Sequence, residues 1–205
     1  MSDYRALLNR VDGWFARGRE AAGGRVPCRH GCSACCYGPF DVSVADIELI
    51  EHALHRLAED EYQAVLARAR ALLGRMQELE PAWSPPYAVE VLGEDRFDRL
   101  SDALAAEPCP LLDDAGCCRI YDDRPLVCRL IGLGMRTPAG RVIENACPIQ
   151  DRFPGYPDLP PTPFELEAWE EEELRCLRAA AQRRFGDAGR WEFETTIAAL
   201  LAGTP

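Results

Sequence analysis

The apolar positions of this chain recur mostly every three to four residues, the spacing that turns one face of an α-helix toward a core. Leu7, Leu8, Val11, Trp14 and Phe15 follow Ser2 and Asp3, both able to cap, and predict a first helix ending near Gly23 and Gly24. After a brief extended piece at residues 40–42, Ser43 with Asp46 three positions on forms a capping pair for a second helix to about residue 58. Glu59, Asp60 and Glu61 open a third, to about residue 80, with Tyr62, Val65, Leu66, Leu72, Leu73 and Met76 toward a core. These two helices are expected to pair as an antiparallel hairpin.

Pro81, Pro85 and Pro86 break the pattern, and a short helix is expected over residues 94–105. Leu111 and Leu112, the turn Asp113-Asp114-Ala115-Gly116 and residues 117–121 read as a small β-hairpin. Asp123 is placed to cap a short helix with Pro125 in its first turn and Cys128 one turn inside. Thr137-Pro138-Ala139-Gly140 predicts a second hairpin ending at Cys147. Beyond a proline-rich connection, Thr162, Pro163 and Glu165 start a helix that Gly186 stops, and a last helix over 187–201 buries Trp191, Ile197, Leu200 and Leu201. The expected fold class is mainly α: one helical domain over residues 1–205, with small β-hairpins, cysteine-rich metal-binding loops and C-terminal helices over 163–202.

Ten cysteines change this picture. Most gather in two groups, Cys28-x3-Cys32-x2-Cys35-Cys36 and Cys109 to Cys147. Thiolates at such density repel unless a cation compensates them, so the grouping points to a metal or an iron–sulfur cluster. The spacing of Cys28, Cys32 and Cys35 is that of radical S-adenosylmethionine enzymes, but the few strands here exclude their partial barrel. Adjacent side chains diverge, so the doublet Cys35-Cys36 suits two metals, a multinuclear cluster, or one ligand beside a redox thiol. The alternative is that one of the pair is a packed small hydrophobe. Proline follows Cys109 and Cys147, as it follows a cluster ligand in bacterial ferredoxins. Arg124 and Arg129 stand close in sequence to Cys118 and Cys128; either they offset thiolate charge, or they pair with Asp113, Asp114, Asp122 or Asp123.

The chain begins with charges among its apolar residues, unlike a signal peptide, and no apolar run approaches the roughly 20 residues that span a bilayer. A cytoplasmic, reducing setting is therefore expected, where ligation outweighs structural disulfides. The net charge of -11 argues against nucleic acid and anionic membranes as partners and leaves a protein partner open. His30 lies inside the first cysteine loop; His52 and His55 share a helix face without a completing motif, and Glu48 and Glu51 read as a solvated face.

Cys32-Ser-Ala-Cys35-Cys36, Asp41-Val-Ser-Val-Ala-Asp46, Cys109-Pro-Leu-Leu-Asp-Asp-Ala-Gly and Cys118-Arg-Ile-Tyr-Asp-Asp-Arg-Pro-Leu-Val-Cys128-Arg129 together resemble the YkgJ-type cysteine cluster family over about residues 28–147. That resemblance implies a zinc- or iron-chelating domain, with ligands at Cys28, Cys32, Cys35, Cys36, Cys109, Cys118, Cys128 and Cys147. A related branch contains flagellin lysine N-methylases that use an iron–sulfur cluster, so an oxidoreductase or methyl-transfer role follows only from the resemblance. Three residues separate Cys28 from Cys32, where many relatives have two. Cys117 and Cys176 have no place in the pattern, and Cys176 reads as a core residue of an amphipathic helix. The function expected is an iron–sulfur protein, 4Fe–4S favoured, for electron transfer or an associated modification reaction. The alternative is a zinc-binding structural, storage or interaction module.

Overall fold

Helices carry the architecture of the computed structural model, which describes residues 2–144 and 147–203. Helix α1 (Ser2–Ala21) buries Tyr4, Leu7, Leu8, Val11, Trp14 and Gly18 along one stripe. It packs on α7 (Leu166–Phe185), and Trp14 and Trp169 enter the same core. Gly18 marks a close approach: a β-carbon there would meet Leu133 at 2.6 Å and the Thr162 hydroxyl at 3.1 Å.

Strand β1 (Asp41–Ser43) runs into α2 (Val44–Leu54) through the capping box expected from Ser43 and Asp46. The Ser43 hydroxyl accepts from the Asp46 amide at 3.2 Å, and the Asp46 carboxylate accepts in return from the Ser43 amide at 3.4 Å. Helix α3 (Glu59–Leu79) buries Val65, Ala69, Leu72, Leu73 and Met76, leaving Tyr62 and Leu66 half-buried. Its main partner is not α2. Helix α3 lies against the apolar C-terminal helix α8 (Ile197–Gly203), while α2 lies against α7, so the expected hairpin gives way to two pairings that are distant in sequence. A nearly continuous apolar helix such as α8 can cover the α3 stripe, while α2 buries residues against α7 as well. Two short helices, α4 (Val89–Leu92) and α5 (Glu94–Ala103), close a further core around Trp83, whose indole N–H donates to the Ala88 carbonyl at 2.9 Å.

Three expectations for the later chain are corrected. Asp123 does not cap a helix: it is buried, and its carboxylate pairs with Arg5 and Arg56, while α6 (Val127–Leu130) starts further on. Thr162 and Pro163 form β4, parallel to β2 (Met135–Arg136), with β3 (Val142–Ile143) antiparallel on the other side of β2. The Thr162 amide donates to the Gly134 carbonyl at 2.8 Å, so helix α7 begins only at Leu166. The last expected helix is divided. Asp187 caps a short turn over Ala188–Glu192, and the β-branched pair Thr195-Thr196 lies in β5 (Glu194–Thr196), antiparallel to β1. The Thr196 hydroxyl then accepts from the Ala199 amide at 3.1 Å and starts α8. Among the described residues no helix is long and apolar enough to cross a membrane.

Two polar stripes, each spaced by seven residues, hold the irregular cysteine segments to the helices. Seven residues are almost two helical turns, so such positions stay on one face. Along α1 they are Arg5 on Asp123, Asp12 on Arg124 and Arg129, and Arg19 on the Cys28 carbonyl at 2.8 Å. Along α3 they are Glu61 on Arg119, Arg68 on the Leu112 carbonyl and Asp114, and Arg75 on Glu107. The stripes therefore brace residues 107–129 from two sides.

Candidate metal centre

The first cysteine segment has no regular structure because its residues are turn formers; the Cys32 amide donates to the Arg29 carbonyl at 3.0 Å and the Cys36 amide to the Ser33 carbonyl at 2.9 Å. It is joined directly to the second segment. The Cys109 amide donates to the Cys36 carbonyl at 2.9 Å, and Tyr37 and Pro108 face each other across an antiparallel bridge. Two groups about seventy residues apart in sequence are thus neighbours in space, as the doublets suggested.

The hairpin over 111–119 is real: Leu112 pairs with Cys118, and the Asp113 amide donates to the Cys117 carbonyl at 2.8 Å. Alternation along it sends successive thiols to opposite sides. Cys118 lines the central cavity, whereas Cys117 lies 3.6 Å from where a Gly31 β-carbon would stand. Helix α6 supplies Cys128.

These elements enclose a cavity of about 380 Å³, with seven cysteines in its lining: Cys28, Cys32, Cys35, Cys36, Cys109, Cys118 and Cys128. Cys147 is buried beside it, where the Tyr156 hydroxyl contacts both the Cys28 and Cys147 thiols and donates to the Gly132 carbonyl at 2.6 Å. Gly132 leaves room for them: its φ is +114°, and a β-carbon would press on the Cys28 sulfur at 3.0 Å and the Tyr156 hydroxyl at 3.1 Å. The structure therefore gathers all eight positions named by the resemblance in one region. Cys176 lies elsewhere, half-buried against the core of α1 and α7. His30 is exposed and packs edge-on against Tyr121 at 4.7 Å; His52 and His55 are also exposed. Glu48 and Glu51 are more than a solvated face, since they pair with Arg183 and Arg184 of α7. All ten cysteines are free thiols. Among the described residues no three His, Cys, Asp or Glu side chains form a finished single-ion site; the thiols surround a space instead.

Burial governs the chemistry of these thiols. It pushes Cys28 up to about 11, with Cys147, Cys32 and Cys35 adding repulsion, and Cys109 up to about 12. Cys118 and Cys128 are raised for the same reason. Within the doublet, Cys36 donates to Cys35, which brings Cys35 down to about 7 and raises Cys36. Buried thiols of this kind keep their protons until a cation replaces them, so metal uptake here releases protons.

Arg124 and Arg129 form ion pairs with none of Asp113, Asp114, Asp122 and Asp123, and Arg124 acts on a thiol as the first alternative expected. Both bind Asp12, and Arg129, 4 % exposed, also donates to the carbonyls of Arg124 and Asp122 at 2.9 Å. Two guanidiniums share one carboxylate, leaving a positive charge on the cavity wall, and Arg124 holds Cys118 down against the effect of burial. Arg124 also stacks over Tyr121 at 4.4 Å. The sequence reading missed Asp12, Arg19, Tyr121 and Tyr156. The α1 contributors had a signal, since Asp12, Phe15, Ala16 and Arg19 follow helical spacing on a second face; Tyr156, in a proline-rich connection, had none.

A helical scaffold bracing a pocket of thiols defines a cysteine-cluster chelating domain. Residues 27–148, more than half of the 205, match the CxxCxxCC family, described as a "putative zinc- or iron-chelating domain", and the chain belongs to that family. No curated protein and no solved structure matches it.

Proposed function

We propose that the chain holds an iron–sulfur cluster, of the 4Fe–4S kind, through its two cysteine-rich segments, and that it serves electron transfer or an associated modification reaction in the cytoplasm. The observation that supports this reading is the single cavity of about 380 Å³ with seven thiols on its wall. A polynuclear centre occupies a volume and takes thiolates from several directions, whereas one tetrahedral zinc needs four sulfurs about 2.3 Å from a single point. The donor set fits, being soft thiolate throughout. When bound, the cluster supplies one-electron chemistry. The chain's own residues do the rest: Phe15, Phe40, Leu111 and Ile197 exclude water, and Arg124 and Arg129 offset the negative charge of a cysteine-ligated centre.

Zinc in a structural, storage or interaction role is the second reading. It draws on Cys36, Cys109, Cys118 and Cys128, four thiols that influence one another and equal one zinc's complement. Electron paramagnetic resonance separates the two. Dithionite-reduced protein purified without air is expected to give an iron–sulfur signal; a silent spectrum from protein containing stoichiometric zinc would reject the cluster.

A further inference from the structure

The eight thiols do not share one environment. Cys28 and Cys147 pack into the core formed by α1 and α7, whereas Cys36, Cys109 and Cys118 pack into the core formed by α2, α3 and α8. Contacts follow the same division. The Tyr156 hydroxyl touches Cys28 and Cys147, and Cys28 has Cys147, Cys32 and Cys35 as its thiol neighbours. Cys128 instead faces Cys109 and Cys118, and the Cys36 carbonyl takes the Cys109 amide. The doublet joins the halves, since the Cys35 and Cys36 sulfurs touch while Cys35 also neighbours Cys28 on one side and Cys128 on the other.

We propose that the eight cysteines serve two adjacent metal centres: an inner one on Cys36, Cys109, Cys118 and Cys128, and an outer one on Cys28, Cys32, Cys35 and Cys147, with the Tyr156 hydroxyl wedged between two outer sulfurs. The inference rests on the reading of these residues as ligands and goes beyond it by dividing them. Four thiolates are the complement of one zinc or of one cluster, so eight divide without remainder. Three of the outer ligands lie in a loop, residues 28–35, that lacks a fully buried residue, while Cys147 of the outer centre and Cys109 of the inner one are buried. Tyr156 is the outer centre's positioning residue, held by Gly132 and lying outside the matched span 27–148. Its hydroxyl is a polar group beside both sulfurs, where it would tune a thiolate centre.

The test is metal and sulfide content per chain in wild type, Cys28→Ser and Cys118→Ser, with the spectrum of Tyr156→Phe beside them. Two centres predict about eight iron and eight sulfide, or about two zinc, in wild type, and about half of that in each serine variant. Tyr156→Phe should retain the full metal content while shifting the absorption or reduction potential of the outer centre alone, which a merely structural role would not do. Should Cys118→Ser fail to fold, wild-type content and spin coupling between two reduced clusters still decide. Wild type with about four iron, or about one zinc, overturns the division, as does complete loss in Cys28→Ser. Two zinc without sulfide would reject the iron–sulfur reading and leave the division standing; no bound metal would reject both.

Discussion

Replacing Asp12 with alanine tests the bracing of the cysteine segments most sharply. Asp12 is the shared carboxylate of Arg124 and Arg129, and its side chain is 34 % exposed while that of Arg129 is 3 % exposed. Removing one partner of a buried pair costs about 3–5 kcal/mol, because the remaining charge stays out of water. Two features reduce that here: water reaches the Asp12 side, and Arg129 retains the carbonyls of Arg124 and Asp122. An expected loss of about 2–3 kcal/mol follows, or roughly 5–10 °C in Tm for a chain of this size. Circular dichroism melts of metal-loaded protein at fixed pH provide the assay, repeated for Arg129→Met and the double variant. If Asp12 acts by neutralising Arg129, the double variant should be more stable than the sum of the single losses predicts, by about 1–2 kcal/mol. Strict additivity, or a melt within about 1 °C of wild type for Asp12→Ala, would refute the reasoning.

Further outcomes follow from the same geometry. Burial, with Asp46, Glu170 and Glu194 nearby, pushes Glu173 up to about 8, and burial beside Asp41, Glu90 and Asp46 pushes Glu194 up to about 7. A carboxyl raised on folding contributes stability that is fully present below its ordinary pKa of 4.5 and lost as pH rises through the folded value. Glu173→Gln should therefore gain on wild type by about 2 kcal/mol between pH 6 and pH 9, a figure discounted for partial exposure and read from urea midpoints. Cys117→Ser and Cys176→Ser should keep wild-type metal content, since Cys117 does not line the cavity and Cys176 lies on α7 away from it; metal analysis showing loss in Cys117→Ser would reverse the hairpin's assignment. Chelation should expose residues 28–42 and 107–144 to hydrogen exchange before α1 and α7, and equal protection with and without metal would count against ligation as the source of their order.

Much of this was legible from residue spacing. Helices α1 to α3, the Ser43 and Asp46 cap and the hairpin at 111–119 emerged as expected because each depends on neighbours within a few positions. What could not be read depends on distant partners. Asp123 looks like a cap until Arg5 of α1 and Arg56 of the turn after α2 reach it, and Thr162 and Pro163 look like a helix start until Gly134 takes up the Thr162 amide. The threonines of β5 form a strand only because β1 lies beside them. At the site, the cysteines declared themselves by density. Of the groups that brace them, Arg129 stood out by its place beside Cys128, whereas Asp12 and Tyr156 look like ordinary surface or connector residues in sequence. The seven-residue spacing of Asp12 with Arg5 and Arg19 on α1, and of Glu61, Arg68 and Arg75 on α3, was the one available clue.

The central claim is that two thiol-rich segments close around a polynuclear iron centre. Iron, zinc and acid-labile sulfide measured on protein purified without air test it most directly. The account predicts iron and sulfide in equal amounts with little zinc; stoichiometric zinc without sulfide would contradict it.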